Sequence, residues 1–249
     1  MDGGSTDDSV EIIKKYARHL AYWVSEKDGG QSAAINAGFC RSTGDILGWL
    51  NSDDMYLPGA CQFVSSQIDV TKSEIVFGNC MHIREGSAKT SGSDVAATQK
   101  MLPLHIGDYV IQPSAFWTRH VWENVGMLRE DFHFAFDWEW FLRANRMDIP
   151  FIPVAKYLSI YRMHEAHKTG IGGKKRQVEL ASIYEQYAGT EYKDLYLKCC
   201  EASEAVTKTV SQLERFKLGK LRQPFLWLRF PRIFQNRSSH EAWTIFNMR

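Results

Sequence analysis

The 249-residue chain predicts an α/β protein with a largely parallel sheet and a helical extension at its C-terminal end. Two observations carry this. Glycine-bearing loops, helical segments and short apolar runs alternate through the first two thirds of the chain. Beyond residue 177 helical spacing continues to residue 218 without any strand signal.

Asp2-Gly3-Gly4-Ser5-Thr6-Asp7-Asp8-Ser9 reads as a loop leading into a helix. Asp7, Asp8 or Ser9 would cap that helix, and Val10, Ile13, Tyr16 and Ala17 follow at helical spacing. Residues 20–25 are short, apolar and aromatic, as a strand would be. A second two-glycine loop, Glu26-Lys27-Asp28-Gly29-Gly30-Gln31, precedes a helix over residues 32–41. Gly44 closes that helix and a strand is expected over residues 46–50. It delivers Asn51-Ser52-Asp53-Asp54 ahead of Pro58. Two adjacent carboxylates at the end of a buried strand suit a hard divalent cation such as Mg²⁺ or Mn²⁺, although Asn, Ser and Asp are also ordinary turn formers.

A helix over residues 59–68, a strand over 74–79 and a Ser/Gly-rich loop or hairpin over 86–98 come next. Residues 115–117 read as a strand and residues 119–125 as a helix ending at Gly126. Residues 133–146 read as loop then helix, with Asp137 at the N-cap. Residues 151–154 and 157–161 complete the strands. A basic, glycine-rich connector spans residues 168–176. In the tail, Arg215, Lys217, Lys220, Arg222, Arg229, Arg232 and Arg237 alternate with Phe, Leu and Trp.

Composition narrows the function. Hydrophobic content of 44% and charged content of 24% describe an ordinary folded protein, and a net charge of +1 argues against a nucleic-acid partner. Cys40, Cys61, Cys80, Cys199 and Cys200 lack zinc-ligand spacing and read as reduced, mostly packed residues of a cytoplasmic protein. No apolar run is long enough to cross a bilayer, and none at the start has the form of a signal peptide.

Taken together, several segments resemble family 2 glycosyltransferases of the GT-A fold, including bacterial polysaccharide glycosyltransferases. They are Asp2-Gly3-Gly4-Ser5-Thr6-Asp7, Ser25-Glu26-Lys27-Asp28-Gly29-Gly30-Gln31-Ser32, Ala34-Ile35-Asn36-Ala37-Gly38 and Leu50-Asn51-Ser52-Asp53-Asp54. Gln112-Pro113-Ser114, Phe136-Asp137-Trp138-Glu139-Trp140-Phe141-Leu142-Arg143 and Tyr161-Arg162-Met163-His164-Glu165 continue the likeness. Each motif is weak alone; their shared order is specific. The likeness covers residues 2–169, implying a catalytic domain there and a helical extension over 170–249 with a basic, aromatic tail.

The resemblance implies transfer of a sugar from a nucleotide-diphosphate donor to an acceptor hydroxyl, with inversion and a divalent metal (Mn²⁺ or Mg²⁺). Asp54 would be the metal ligand, Asp53 would contact the donor ribose or a metal-bound water, and Asn51 would support them. Asp2, Asp28 and Asn36 would bind the donor nucleotide; turn formation is the plainer role for Asp2 and Asp28. Asp137 would be the catalytic base, its carboxylate partly desolvated by Phe134, Phe136, Trp138 and Trp140, with Glu139 as the alternative. His164 would reach the metal or the diphosphate, and Arg162 and Lys168 would neutralise phosphate. Gln112 and Trp117 would shape the acceptor side, unless Trp117 merely packs.

Relatives begin with a further strand, loop, helix and strand, about forty residues, that this sequence lacks. The resemblance thus implies a fragment of a longer enzyme, a decayed gene product, or a strand supplied by a partner chain. Two readings follow. One is a hexosyltransferase-type enzyme in exopolysaccharide, lipopolysaccharide or other cell-surface glycan assembly. The other is an inactive glycosyltransferase-like binding or scaffold protein. The acceptor would be a glycan or a lipid-linked carrier. Residues 215–237 are expected to contact the inner face of the cytoplasmic membrane peripherally, in two short segments because of Pro224 and Pro231, or else to pack back onto the protein.

Overall fold

The computed structural model describes residues 1–87, 90–164, 172–235 and 237–248. The chain folds as two compact units, one of Met1–Ala97 with Val110–His167, the other of Thr98–Tyr109 with Lys168–Arg249. Among the described residues no helix is long and apolar enough to cross a membrane, and no disulfide joins the cysteines.

The first unit is built on six strands: β1 (Ile46–Leu47), β2 (Met55–Tyr56), β3 (Ile75–Arg84), β4 (Thr90–Gly92), β5 (Ala115–Thr118) and β6 (Phe151–Met163). Their order is β1-β5-β3-β6-β2, with β4 paired to β3. The sheet is not largely parallel. β3 and β6 pair in parallel, while the other four pairings are antiparallel. Strand length explains the difference. β1, β2, β4 and β5 have two to four residues and enter through turns and loops. Parallel pairing needs a long crossover, and the chain from β3 to β6 supplies one through α5 (Arg119–Val125) and α6 (Phe136–Arg146).

The two runs read as separate final strands are halves of β6. The register shifts where Val154 faces Gly78 and Tyr157 faces Asn79, so the break in the pattern is a bulge. Gly78 makes room for it: a Cβ there would stand 2.7 Å from the Lys156 carbonyl oxygen and 2.6 Å from Leu158 Cδ1. Gly78→Ala is expected to destabilise the protein by about 1–3 kcal/mol in urea unfolding, as overpacking does.

Residues 20–25 form no strand. Asp2 and Ser25 share one isolated parallel bridge, in which Asp2 N–H donates to Val24 at 3.0 Å and Glu26 N–H to Asp2 at 3.1 Å. β-propensity alone does not make a ladder; a segment needs a partner edge along its length. The preceding helix, α1 (Ser9–Tyr16), buries none of its residues. Its N-cap position is Asp8, and Asp7 instead accepts from Ser9 N–H at 3.0 Å.

Aromatic side chains fill one side of the sheet. Phe39, from α2 (Gln31–Arg41), lies 4.5 Å from Trp122 and 5.8 Å from Trp117, ring centre to ring centre. Trp117 continues to Trp49 at 5.4 Å and Trp140 at 4.7 Å. Ala60 and Val64, on α3 (Ala60–Gln67), pack with Phe116 and Leu158. Trp117 and Trp140 are completely buried, so the high Trp and Phe content is used mainly for packing.

The second unit is helical, as read: α7 (Gly173–Tyr187), α8 (Thr190–Glu201), α9 (Ser203–Arg215), α10 (Arg222–Arg229), α11 (Pro231–Phe234) and α12 (Ser239–Asn247). α4 (Val95–Met101) runs into its first segment. Tyr184 stacks at 5.2 Å on Tyr196 and donates its hydroxyl to Ile106 at 3.0 Å. Ser238 caps α12 by accepting from Glu241 N–H at 3.1 Å, the Ser-x-x-Glu arrangement of a capping box. Pro224 is tolerated in the first turn of α10, where no intrahelical N–H is needed, and Pro231 opens α11.

Candidate active site

The acidic site residues lie on the loop between β1, which stops at Leu47 and not at residue 50 as the sequence suggests, and β2. Gly48 leaves the sheet beside Phe116, whose ring carbon would stand 2.9 Å from any added Cβ. Trp49 follows into the aromatic core, and the chain then turns through Asn51, Ser52 and Asp53 to Asp54, whose N–H returns to the Asn51 carbonyl at 3.1 Å. Asp54 is 6% exposed. Its Oδ1 accepts from the Arg162 N–H at 3.1 Å, and its Oδ2 accepts from Asn51 Nδ2 at 3.4 Å. Burial pushes its carboxyl above the usual range, the neighbouring Asp53 charge adds to this, and the Arg162 and Asn51 contacts oppose it. Both of its hydrogen-bond donors are neutral groups, and the Arg162 charge is the positive one that favours its ionised form.

Asn51 is held in turn. Gln31 Nε2 donates to its Oδ1 at 2.8 Å, its Nδ2 reaches Gln112 Oε1 at 3.3 Å, and Gln112 Nε2 donates to the Trp49 carbonyl at 2.6 Å. Gln112 is thus buried and braces the turn; it does not line an open acceptor face. The acceptor expectation fails outright for Trp117, which is wholly buried among Phe39, Trp49, Trp140 and Phe141.

Asp53 and His164 meet at 3.1 Å, Oδ2 to Nε2, both partly exposed. Arg162 contributes its backbone to Asp54, while the residue is exposed. Lys168 and Glu165 lie outside the described residues. Among the described residues no three of His, Cys, Asp and Glu form a metal cage. A Mg²⁺ or Mn²⁺ ion that shares its shell with a diphosphate and waters needs only one or two carboxylates, and the buried Asp54 beside Asp53 and His164 fits that requirement.

The two glycine loops lie together. Asp2 Oδ2 accepts from Ser25 Oγ at 2.6 Å, Ser5 N–H at 3.0 Å and Gly4 N–H at 3.2 Å, and Oδ1 accepts from Ser5 Oγ at 2.5 Å. The Ser25 hydroxyl, then the Ser5 contacts, hold its carboxyl well below the usual carboxylate range. Asp28 bonds Gly30 N–H at 2.8 Å, and a Cβ on Gly3 would come within 3.2 Å of its carboxylate. Both acids serve as turn formers here; that leaves a nucleotide role for them as a second use.

Asn36 differs from its expected place. It is buried, donating to Leu128 O at 2.9 Å and Glu130 Oε1 at 3.0 Å and accepting from Leu128 N–H at 2.9 Å. The amide uses both its nitrogen and its oxygen to brace the loop at residues 128–130. Asn36→Ala is expected to lower stability by about 1–3 kcal/mol in urea unfolding, because it orphans buried backbone groups. If unfolding is unchanged and only donor affinity falls, the bracing assignment is wrong.

Asp137 is not an N-cap; Ala135 holds that position, and Asp137 sits half-buried in the first turn of α6. Its Oδ1 accepts from Trp138 N–H at 2.9 Å. Phe136 lies 6.3 Å from Trp49, ring to ring, which sets the start of α6 against the strand end that leads to Asp54. Glu139, the alternative base, is 1% exposed and bonded to Arg143 Nε at 3.1 Å. Arg143 also donates to the carbonyls of Val125 at 2.8 Å and Met127 at 2.6 Å. Glu139 is therefore part of a buried brace rather than a base facing a substrate. The i, i+4 spacing of Glu139 and Arg143 in the sequence was the signal for that pairing.

Comparisons with known proteins bear on this geometry. Residues 1–123 match the family model described as glycosyl transferase family 2. An uncharacterized glycosyltransferase of Mycobacterium tuberculosis is 31% identical over 150 residues, 58% of this chain and 55% of its own length. An uncharacterized glycosyltransferase of Nostoc sp. is 30% identical over 123 residues, 47% of this chain and 37% of its own. The chain thus spans about half, or less, of the curated relatives it matches. Among solved structures, S. aureus TarS 1-349 in complex with UDP-GlcNAc covers 91% of this chain and 70% of its own, with 14% identity and a TM-score of 0.54. That likeness is one of fold, a GT-A-type glycosyltransferase fold. Residues 1–123, just under half of the chain, are thus what matches glycosyl transferase family 2.

Proposed function

We propose that the protein transfers a sugar from a nucleotide-diphosphate donor to an acceptor hydroxyl, with inversion and with a divalent metal. The observation that carries this reading is Asp54: a buried carboxylate, at a strand end, pinned by Arg162 N–H and Asn51 and beside the Asp53–His164 pair. Asp54 and His164 would hold the cation, which when bound supplies positive charge beside the diphosphate. Asp53 faces the donor ribose. Asp2 and Asp28 contact the nucleotide from the paired glycine loops. Asp137 accepts the proton of the acceptor hydroxyl as its oxygen bonds to the anomeric carbon from the face opposite the diphosphate. The bond from that carbon to the diphosphate breaks, and its electron pair leaves with the nucleoside diphosphate. The family domain and its glycosyltransferase relatives support the reaction class, and the UDP-GlcNAc complex of TarS makes a UDP-sugar the first donor to test. The acceptor proposed is a glycan or lipid-linked carrier in cell-surface polysaccharide assembly, on the cytoplasmic side of the membrane.

The test is a screen of UDP-sugars with Mn²⁺, measuring release of the nucleoside diphosphate and binding separately. Metal-dependent release supports the enzyme. Donor binding without release, with or without acceptor, would support the inactive binding protein instead.

A further inference from the structure

Outside the candidate active site, the helical unit carries an apolar stripe that nothing in it covers. In α10, Leu226 is completely buried, while Phe225 and Leu228, with Leu221 in the turn just before the helix, follow i, i+4 and i+7 spacing away from it. All three are exposed, Leu228 at 76%. Phe216, at 69%, and Leu218 extend the exposed apolar surface just upstream. Between Glu214 and Glu241 the sequence has seven cations and no acidic residue. Three of the seven have contacts inside the unit: Arg237 pairs with Glu191, Arg222 lies over the Trp243 ring at 4.9 Å, and Arg229 lies over the Phe230 ring at 5.7 Å. Arg215, Lys217, Lys220, Arg229 and Arg232 are exposed, and none has an ion-pair partner within 4.0 Å among the described residues. Arg229 and Arg232, with Lys198 and Glu201, line a depression of about 420 Å³ beside Phe230.

We propose that this surface docks on an anionic lipid bilayer, with Leu221, Phe225 and Leu228 entering the acyl boundary and the five cations at the level of the phosphates. A short helix with aliphatic and aromatic side chains on one side and Arg and Lys around them has the composition of an interfacial helix. A second copy of the chain fits less well, because a two-fold contact through this face would set like charges against each other. Nucleic acid would engage the cations yet leave the aliphatic stripe in water. The inference stands apart from the proposed reaction, since membrane binding is measured without a substrate.

The full chain is floated with vesicles of phosphatidylcholine alone and of phosphatidylcholine mixed with phosphatidylglycerol. Binding to the anionic vesicles is expected to be at least about tenfold stronger and to weaken with salt. The triple variant Leu221→Ser/Phe225→Ser/Leu228→Ser removes exposed side chains only, so it should keep its helical circular dichroism and lose at least about tenfold in vesicle affinity. A second variant, Arg215→Gln/Lys217→Gln/Lys220→Gln, should lose the preference for anionic lipid. Equal binding to both vesicle types overturns the proposal, as does a folded triple variant that floats like the parent. A concentration-dependent dimer abolished by the triple variant, with no flotation, would identify a second copy as the occupant and overturn it as well.

Discussion

Asp54→Asn is expected to lower sugar transfer by about 10²–10³-fold, the scale for removing one preorganised charge interaction at a developing leaving group. The substitution keeps the shape and an acceptor oxygen for Arg162 N–H, so the turn should remain as it is. What it removes is the negative charge. That charge is held in a buried place against its own preference: burial raises the carboxyl, so the folded protein binds this proton more tightly than the unfolded chain does. The sign follows from linkage. Ionisation of Asp54 costs stability as pH rises past its unfolded value, and a neutral amide avoids that cost. The variant should therefore melt no lower than the parent at neutral pH while losing activity and losing the Mn²⁺-dependent rise in melting temperature. Loss of activity with an unchanged Mn²⁺ response would move the metal off Asp54. Full activity would remove Asp54 from the site altogether.

The separation of charge from shape at Asp54 also shows what could be read in the sequence. Two adjacent acids after an apolar run suggest a strand over residues 46–50 that ends in carboxylates, but β1 stops at Leu47 and the acids sit in the turn ahead of β2. The helix over residues 119–125 was legible to its ends because Gly126, with a positive φ, stops it. Sheet direction was not legible. Pairing direction depends on which edges meet, and the short strands gave no sign that β1, β2, β4 and β5 join antiparallel. The same limit governs Asn36 and Trp117. Asn36 belongs to a recognisable motif and Trp117 lies three residues past one, yet burial assigns Asn36 to a loop 92 residues away and Trp117 to the core, and a sequence does not show burial at that distance. The tail sequence is compatible with a membrane-facing or a packed segment. It is divided residue by residue: Leu226, Ile233 and Phe234 are buried, while Phe216, Phe225 and Leu228 are exposed.

Asp137→Asn should reduce kcat by about 10²–10⁴-fold, the range for loss of a general base, with the donor KM little changed. The position favours a base that is held still. Asp137 occupies the first turn of α6, its Oδ1 is fixed by Trp138 N–H, and the helix start is anchored by Phe136 against Trp49. An amide in its place retains an oxygen for the same N–H but cannot take a proton. Glu139→Gln provides the contrast, since both residues lie in one turn and both are acidic. Glu139 is 1% exposed and paired with Arg143, which also holds the carbonyls of Val125 and Met127. Removing its charge leaves Arg143 without its ionic partner and should cost about 1–3 kcal/mol of folding stability, less than a fully buried pair because Arg143 is 26% exposed. The two variants should therefore fail differently: Asp137→Asn folded and slow, Glu139→Gln less stable but close to normal kcat where it is folded. The reverse pattern, a slow and fully stable Glu139→Gln beside an active Asp137→Asn, would transfer the base to Glu139. It would also require that the Glu139–Arg143 contact open during turnover. A pH–rate profile separates the cases further: the acidic limb of kcat belongs to the base, and it should be absent in Asp137→Asn and retained in Glu139→Gln.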